Sequence, residues 1–137
     1  MEIVNHPSHY SKKGVLECVD VIRFMTKGLT GMAAFNVGQF VKYAYRAGEK
    51  GDKITDYRKA LWYVSYSCNH YDSTYSAVQT SIDMDAFNEC SRAVCKGKTV
   101  DEACALNCAM RALYRPSTKV EYEKARDTLK AMIGGLI

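Results

Sequence analysis

The stretch from Asn36 to Tyr63 constrains the chain most. Its apolar residues recur at helical spacing on both sides of a short turn crowded with charge and glycine. At about 100° per residue, Ala33, Val37, Phe40, Val41 and Ala44 share one face of a first helix. Asn36, Gln39, Tyr43 and Arg46 fall on the other face, with Lys42 beside them. In a second helix, Ile54, Tyr57, Leu61, Val64 and Cys68 form the apolar side, and Asp56, Lys59 and Tyr63 project opposite. Gly48 suits the left-handed position after a helix end, and Gly51-Asp52 lets the chain reverse. The pattern predicts a helical hairpin with one packing face and one polar face. An ordinary solvated surface is the plain reading of that polar face.

Around the hairpin the same periodicity predicts further helices. Residues 15–26 give a short first helix with Leu16, Val19, Ile22 and Met25 at helical spacing. Residues 71–82 are rich in hydroxyls and lack periodicity, which predicts a loop or an irregular turn. Asp83 caps a fourth helix carrying Met84, Phe87, Ser91 and Val94 on one side. Thr99-Val-Asp-Glu102 reads as a capping box opening a fifth, with Ala103, Leu106, Met110 and Tyr114 inward. Pro116 stops it, and Ser117 or Thr118 caps a sixth helix that buries Tyr122, Ala125, Leu129, Met132 and Ile133 and ends at Gly134-Gly135. No alternating strand pattern is present. The expected fold is all-α, a compact bundle of about six helices. Residues 1–70 form its core and residues 71–137 a helical extension packed on it, a single domain overall.

At 137 residues, 47% of them hydrophobic, the chain is long enough for a real core. The net charge of +4 permits an anionic ligand without demanding nucleic acid. No apolar run has the length of a membrane span, and the N-terminus lacks the basic and apolar regions of a signal peptide. A cytoplasmic protein is expected. The six cysteines contain no Cys-x-x-Cys pair, so they read as reduced, small hydrophobic residues and not as a zinc site.

Three chemistries fail on spacing. Gly97-Lys98-Thr99 resembles the tail of a P-loop, but Arg92 stands where its first glycine belongs, and the segment follows a helix. An all-α nucleotide pyrophosphohydrolase needs clustered carboxylates for metal, and the hairpin helices hold only Asp56 in their interiors. No Cys and His are placed together for nucleophilic catalysis. What remains is an anion-binding surface. Lys42, Arg46, Lys50, Lys53 and Lys59 surround one turn, with Tyr43, Tyr45, Trp62 and Tyr63 available either to stack on a base or to pack. Asn36 and Gln39 are placed to read a base edge. Arg111 and Arg115, on a second stripe of the fifth helix with Cys104 and Cys108, suggest another anion site.

Four blocks then carry a resemblance. They are Pro7-Ser8-His9-Tyr10; Glu17 to Ile22 followed by Met25-Thr26; Asn36 with Lys42-Tyr43 and Arg46-Ala47-Gly48 to Lys50; and Asp56 with Lys59-Ala60 and Trp62-Tyr63. Over about residues 5–65 the chain resembles a phage family of small proteins that includes the P-loop-less nucleotide kinase of short-tailed coliphages. The resemblance implies a nucleotide-binding phage protein in the cytoplasm of the infected host cell. Its activity would be phosphorylation of deoxynucleoside monophosphates, with ATP as donor and Mg²⁺ accompanying it. Lys42, Arg46 and Lys50 would hold phosphates, supported by Lys59. His9 and Asp56 would orient groups or relay a proton. Tyr10 or Tyr43 would stack on the base, and the segment from His6 to Tyr10 would form a lid. The alternatives are an anti-defence sponge that sequesters a cyclic or otherwise modified nucleotide without turning it over, or a host-protein binder. A homo-oligomer is expected, with no membrane and no nucleic-acid partner.

Overall fold

The computed structural model describes residues 14–79 and 81–137, and these fold as an all-α bundle. In chain order the helices are α1 (Cys18–Met25), α2 (Gly31–Arg46), α3 (Lys53–Asn69), α4 (Met84–Cys95), α5 (Val100–Leu113) and α6 (Lys119–Leu136). Among the described residues there is no strand, and no helix is long and apolar enough to cross a membrane.

The expected hairpin is α2 and α3. Ala33, Val37, Phe40, Val41 and Ala44 of α2 are all buried, as are Tyr57, Val64 and Cys68 of α3. Gly48 takes a φ of +89° just after α2, a conformation that L side chains disfavour. Asp52 then caps α3, its Oδ1 accepting a hydrogen bond from Ile54 N at 3.0 Å. On the other side of the hairpin α6 packs against both α3 and α5, so the C-terminal half covers the hairpin's inner face. Tyr122, Ala125, Leu129, Met132 and Ile133 of α6 are buried there, as their spacing predicted.

Among its described residues the irregular stretch after α3 contains a single 3-10 turn, Ser73–Tyr75. Its backbone is tied at two points. Ala77 N donates to Pro116 O at 2.7 Å, and Val78 N donates to Gly28 O at 2.9 Å. Gly28 has φ +84°, and a Cβ there would lie 2.9 Å from Val78 O, so only glycine permits this approach.

Three expectations are corrected and one open choice, the cap of α6, is decided. Helix α1 starts at Cys18, so Leu16 precedes it, and the buried pair is Val21 and Met25 at i, i+4, while Val19 is half exposed. Gly134-Gly135 does not end α6, which runs to Leu136. Burial of Met132 and Ile133 carries the helix through two residues that each cost about 1 kcal/mol relative to alanine. The capping box of α5 is half made. Thr99 Oγ1 accepts from Glu102 N at 3.2 Å, but the Glu102 carboxylate turns inward to Tyr57 and Lys53. At α6 it is Thr118, not Ser117, that stands at the cap, with Glu121 accepting from Thr118 N at 2.6 Å and Ser117 N at 3.1 Å.

Candidate functional site

Helical periodicity places Lys42, Tyr43 and Arg46 together near the end of α2, and Asp56, Lys59 and Tyr63 together near the start of α3. The turn brings these two triplets face to face. The Tyr43 and Tyr63 rings stack with centroids 6.1 Å apart and planes 8° from parallel. Three cations gather on the Tyr43 ring. Lys42 Nζ and Lys59 Nζ each lie 5.3 Å from its centroid, and the Arg46 guanidinium carbon lies at 5.8 Å. The negative face of the phenol ring offsets part of their mutual repulsion. Arg46 Nε sits 3.4 Å from Asp56 Oδ1, an ion pair with one half-exposed and one buried partner. Neither Lys42 nor Lys59 has a carboxylate partner among the described residues. The cluster therefore carries an excess of positive charge on an aromatic platform. Phosphate oxygens suit the charges, and a flat ring suits the platform.

Two predicted members lie deeper than the wheel suggested. Asp56 is buried beneath Arg46, and its Oδ2 has no hydrogen-bond partner. Asn36 is buried inside the hairpin, its Nδ2 donating to Ser67 Oγ at 3.1 Å and its Oδ1 unpartnered. Its amide is engaged across the helix pair and faces no base edge. A small residue opposite, Ser67, leaves room for this polar contact, which a single-helix wheel does not register.

Lys50 does not join the cluster. With Lys53, Lys96 and Lys98 it lines a separate cavity of about 530 Å³ between the α2–α3 and α4–α5 turns. Lys53 is engaged there by Glu102 at 2.9 Å. Arg111 and Arg115 line another cleft, on α5 and the turn after it. His6, His9 and Tyr10 lie outside the described residues.

Sequence reasoning missed two features. The first is that Phe35, Tyr66 and His70 extend Tyr63 and Trp62 into an aromatic row beside the cluster. Trp62 is 59% exposed and Phe35 49%, so they offer surface for stacking and are not core. The i, i+4, i+8 spacing of Trp62, Tyr66 and His70 carried this signal. The second is Glu102. Its carboxylate accepts from Tyr57 Oη at 2.6 Å, Lys53 Nζ at 2.9 Å and Thr99 Oγ1 at 3.0 Å, fastening α5 to the hairpin. Burial pushes its pKa up, but these hydrogen bonds and the Lys53 charge outweigh that and hold it below the usual glutamate value. Tyr57 is shifted upward, first by burial and then by the Glu102 carboxylate. The pair is 45 residues apart, and no local pattern announces it.

Among the described residues no three His, Cys, Asp or Glu side chains gather closely enough to hold a metal ion. Residues 4–65 match a protein family of unknown function, DUF3310. No curated protein and no solved structure matches the chain. Every member of the hairpin cluster falls within the matched segment, whereas Glu102, Arg111 and Arg115 fall beyond it.

Proposed function

We propose that this chain is a phage nucleotide-binding protein that transfers a phosphoryl group to deoxynucleoside monophosphates without a P-loop. One observation carries the binding part of the reading: Lys42, Arg46 and Lys59 converge on the Tyr43 ring with a single carboxylate among them. The resemblance of the four sequence blocks to a phage family that includes a P-loop-less nucleotide kinase supports the transfer part. In this reading the three cations hold phosphate oxygens, and Phe35, Trp62 or Tyr63 stacks on the base. Asp56, fixed under Arg46, is a positioning residue that aims the guanidinium.

The chemistry asks little more of the protein. A monophosphate carries close to two negative charges at neutral pH, so its oxygen attacks the γ-phosphorus of ATP without first losing a proton. The new P–O bond forms as the bond to the β-phosphate oxygen breaks, giving a deoxynucleoside diphosphate and ADP. Buried Asp56 is thus not needed as a base. Mg²⁺, if it accompanies ATP, would supply further charge neutralisation of the phosphates. The same reading expects a homo-oligomer in the host cytoplasm, which sedimentation checks.

A second reading, binding without turnover, is favoured by the size of the cluster. Three cations on one ring suit the phosphates of one ligand, and transfer needs two ligands side by side. Incubation with ATP and each deoxynucleoside monophosphate, followed by chromatography, separates the readings. A diphosphate product supports the kinase. Stoichiometric binding with intact ligand recovered supports a sponge. If no nucleotide binds, both readings fail and a host-protein partner takes their place.

A further inference from the structure

A cleft of about 230 Å³ lies at the C-terminal end of α5, remote in sequence from the hairpin. Its apolar wall is Ile82, Met84, Phe87 and Tyr114, and its charged wall is Arg111 and Arg115. Three observations set Arg115 apart. It is the one non-glycine residue with positive φ among the described residues, at 60°, in a left-handed conformation that disfavours L side chains. Its Nε and Nη1 are shut away from solvent with no hydrogen-bond acceptor. Its remaining contact is weak, Nη2 donating to Gln79 Oε1 at 3.4 Å. Arg111 stands beside it, stacked on Phe87 with its guanidinium carbon 5.6 Å from the ring centroid, and held by Asn107 Oδ1 at 3.0 Å.

A structural role explains these facts poorly. A residue needed only to turn the chain from α5 into α6 at this φ is better supplied by asparagine or glycine. A guanidinium is costly to bury without acceptors, and buried unpaired donors in a folded protein call for an unseen partner. No carboxylate reaches either arginine among the described residues. Arg115 therefore lacks acceptors that an anion from outside the chain would supply, exposed Arg111 adds a second charge beside it, and the apolar wall selects an anion with an apolar body.

We propose that this cleft binds a small organic anion, its oxyanion head on Arg111 and Arg115 and its body against Phe87 and Met84. The head takes the place of Gln79 on Arg115 Nη2, and a turn of the Arg115 side chain toward the cleft brings Nε, now closed off, onto the same head. A carboxylate or a phosphate head satisfies this chemistry equally. The site is independent of the hairpin reading, since it shares no residue with the Tyr43 cluster.

Calorimetry on the full chain tests it, with phenyl phosphate as the probe and with benzoate, inorganic phosphate and phenol as separate arms. Phenyl phosphate or benzoate should bind one to one, roughly tenfold or more tighter than inorganic phosphate or phenol. Whichever of the two wins identifies the head. Arg115→Asn keeps the left-handed backbone comfortable while removing the fork, and Arg111→Gln removes the other charge. Each should weaken binding roughly tenfold or more, and Arg115→Asn should leave the melting temperature equal or higher. Millimolar probe without saturable binding overturns the proposal. So does binding unchanged in both variants, and so does a lower melting temperature for Arg115→Asn, which would make its contact with Gln79 structural.

Discussion

Replacing Glu102 with alanine removes an acceptor shared by three donors from two parts of the chain. The largest loss is at Tyr57, whose ring is fully buried and whose hydroxyl donates at 2.6 Å. An unsatisfied buried hydroxyl costs about 2 kcal/mol. The methylene lost with the side chain adds about 0.8 kcal/mol. Lys53 is 38% exposed, so its ion pair adds only about 0.5 kcal/mol. The sum is roughly 3 kcal/mol, about a third of the stability of an ordinary domain, and corresponds to a fall of about 10 °C in melting temperature. Urea denaturation of wild type, Glu102→Ala, Tyr57→Phe and the double variant measures it. The double variant should recover about 1–2 kcal/mol relative to additivity, because both ends of the bond are then gone. The sign with pH is fixed by the depressed carboxyl pKa. The stabilisation is complete above the unfolded glutamate value, near pH 4.3, and is lost as pH falls through the lower folded value. The gap between wild type and Glu102→Ala should therefore narrow in acid. A loss under about 1 kcal/mol at neutral pH, or no coupling to Tyr57, would refute the claim that this carboxylate fastens α5 to the hairpin.

Other consequences concern the hairpin and the thiols. Ser67→Ala strands the buried Asn36 amide and should cost about 1–3 kcal/mol in chemical denaturation, most of it recovered when Asn36→Leu is added. Gly38→Ala should stabilise by about 0.5–1 kcal/mol, since the new methyl would meet Ile22 Cγ2 at an ordinary 3.4 Å and the helix gains a better former. A disulfide reagent at mildly alkaline pH should label Cys104 and Cys108 quickly in the native protein, because both are exposed. Buried Cys90 should react only on unfolding, since burial first, then nearby carboxylates, pushes it up to about 12, while half-buried Cys18, pushed up to about 11, should react more slowly than Cys104 and Cys108. Fast native labelling of Cys90 would contradict the packing of α4.

The helices were legible because their apolar residues repeat at a period that one element satisfies alone. The hairpin shows this best: every inward residue read from α2 is buried. What the sequence hid lies between elements. Asn36 reads as surface until Ser67 stands opposite, and Glu102 reads as a cap until Tyr57 and Lys53 offer it better partners. Cations grouped by sequence also part in space. Lys42, Arg46 and Lys59 meet at one ring because helical spacing aims them there, while Lys50, in the turn, faces Lys96 and Lys98 across another cavity. Val19 and Gly134 were misjudged for a simpler reason. Leu16 precedes α1, so a face drawn through it and Val19 is not the face that Val21 and Met25 bury, and burial of neighbouring side chains carries a helix through glycine.

The central claim is that the Tyr43 cluster binds the phosphates of a nucleotide. Calorimetric titration of ATP and of each deoxynucleoside monophosphate into wild type and Lys59→Ala tests it most directly. Lys59 has no carboxylate partner among the described residues and is exposed, so its removal should leave the fold intact. Saturable binding of at least one nucleotide, weakened roughly tenfold by Lys59→Ala, is the predicted result. Binding that ignores Lys59→Ala, or no binding by any nucleotide, would contradict it.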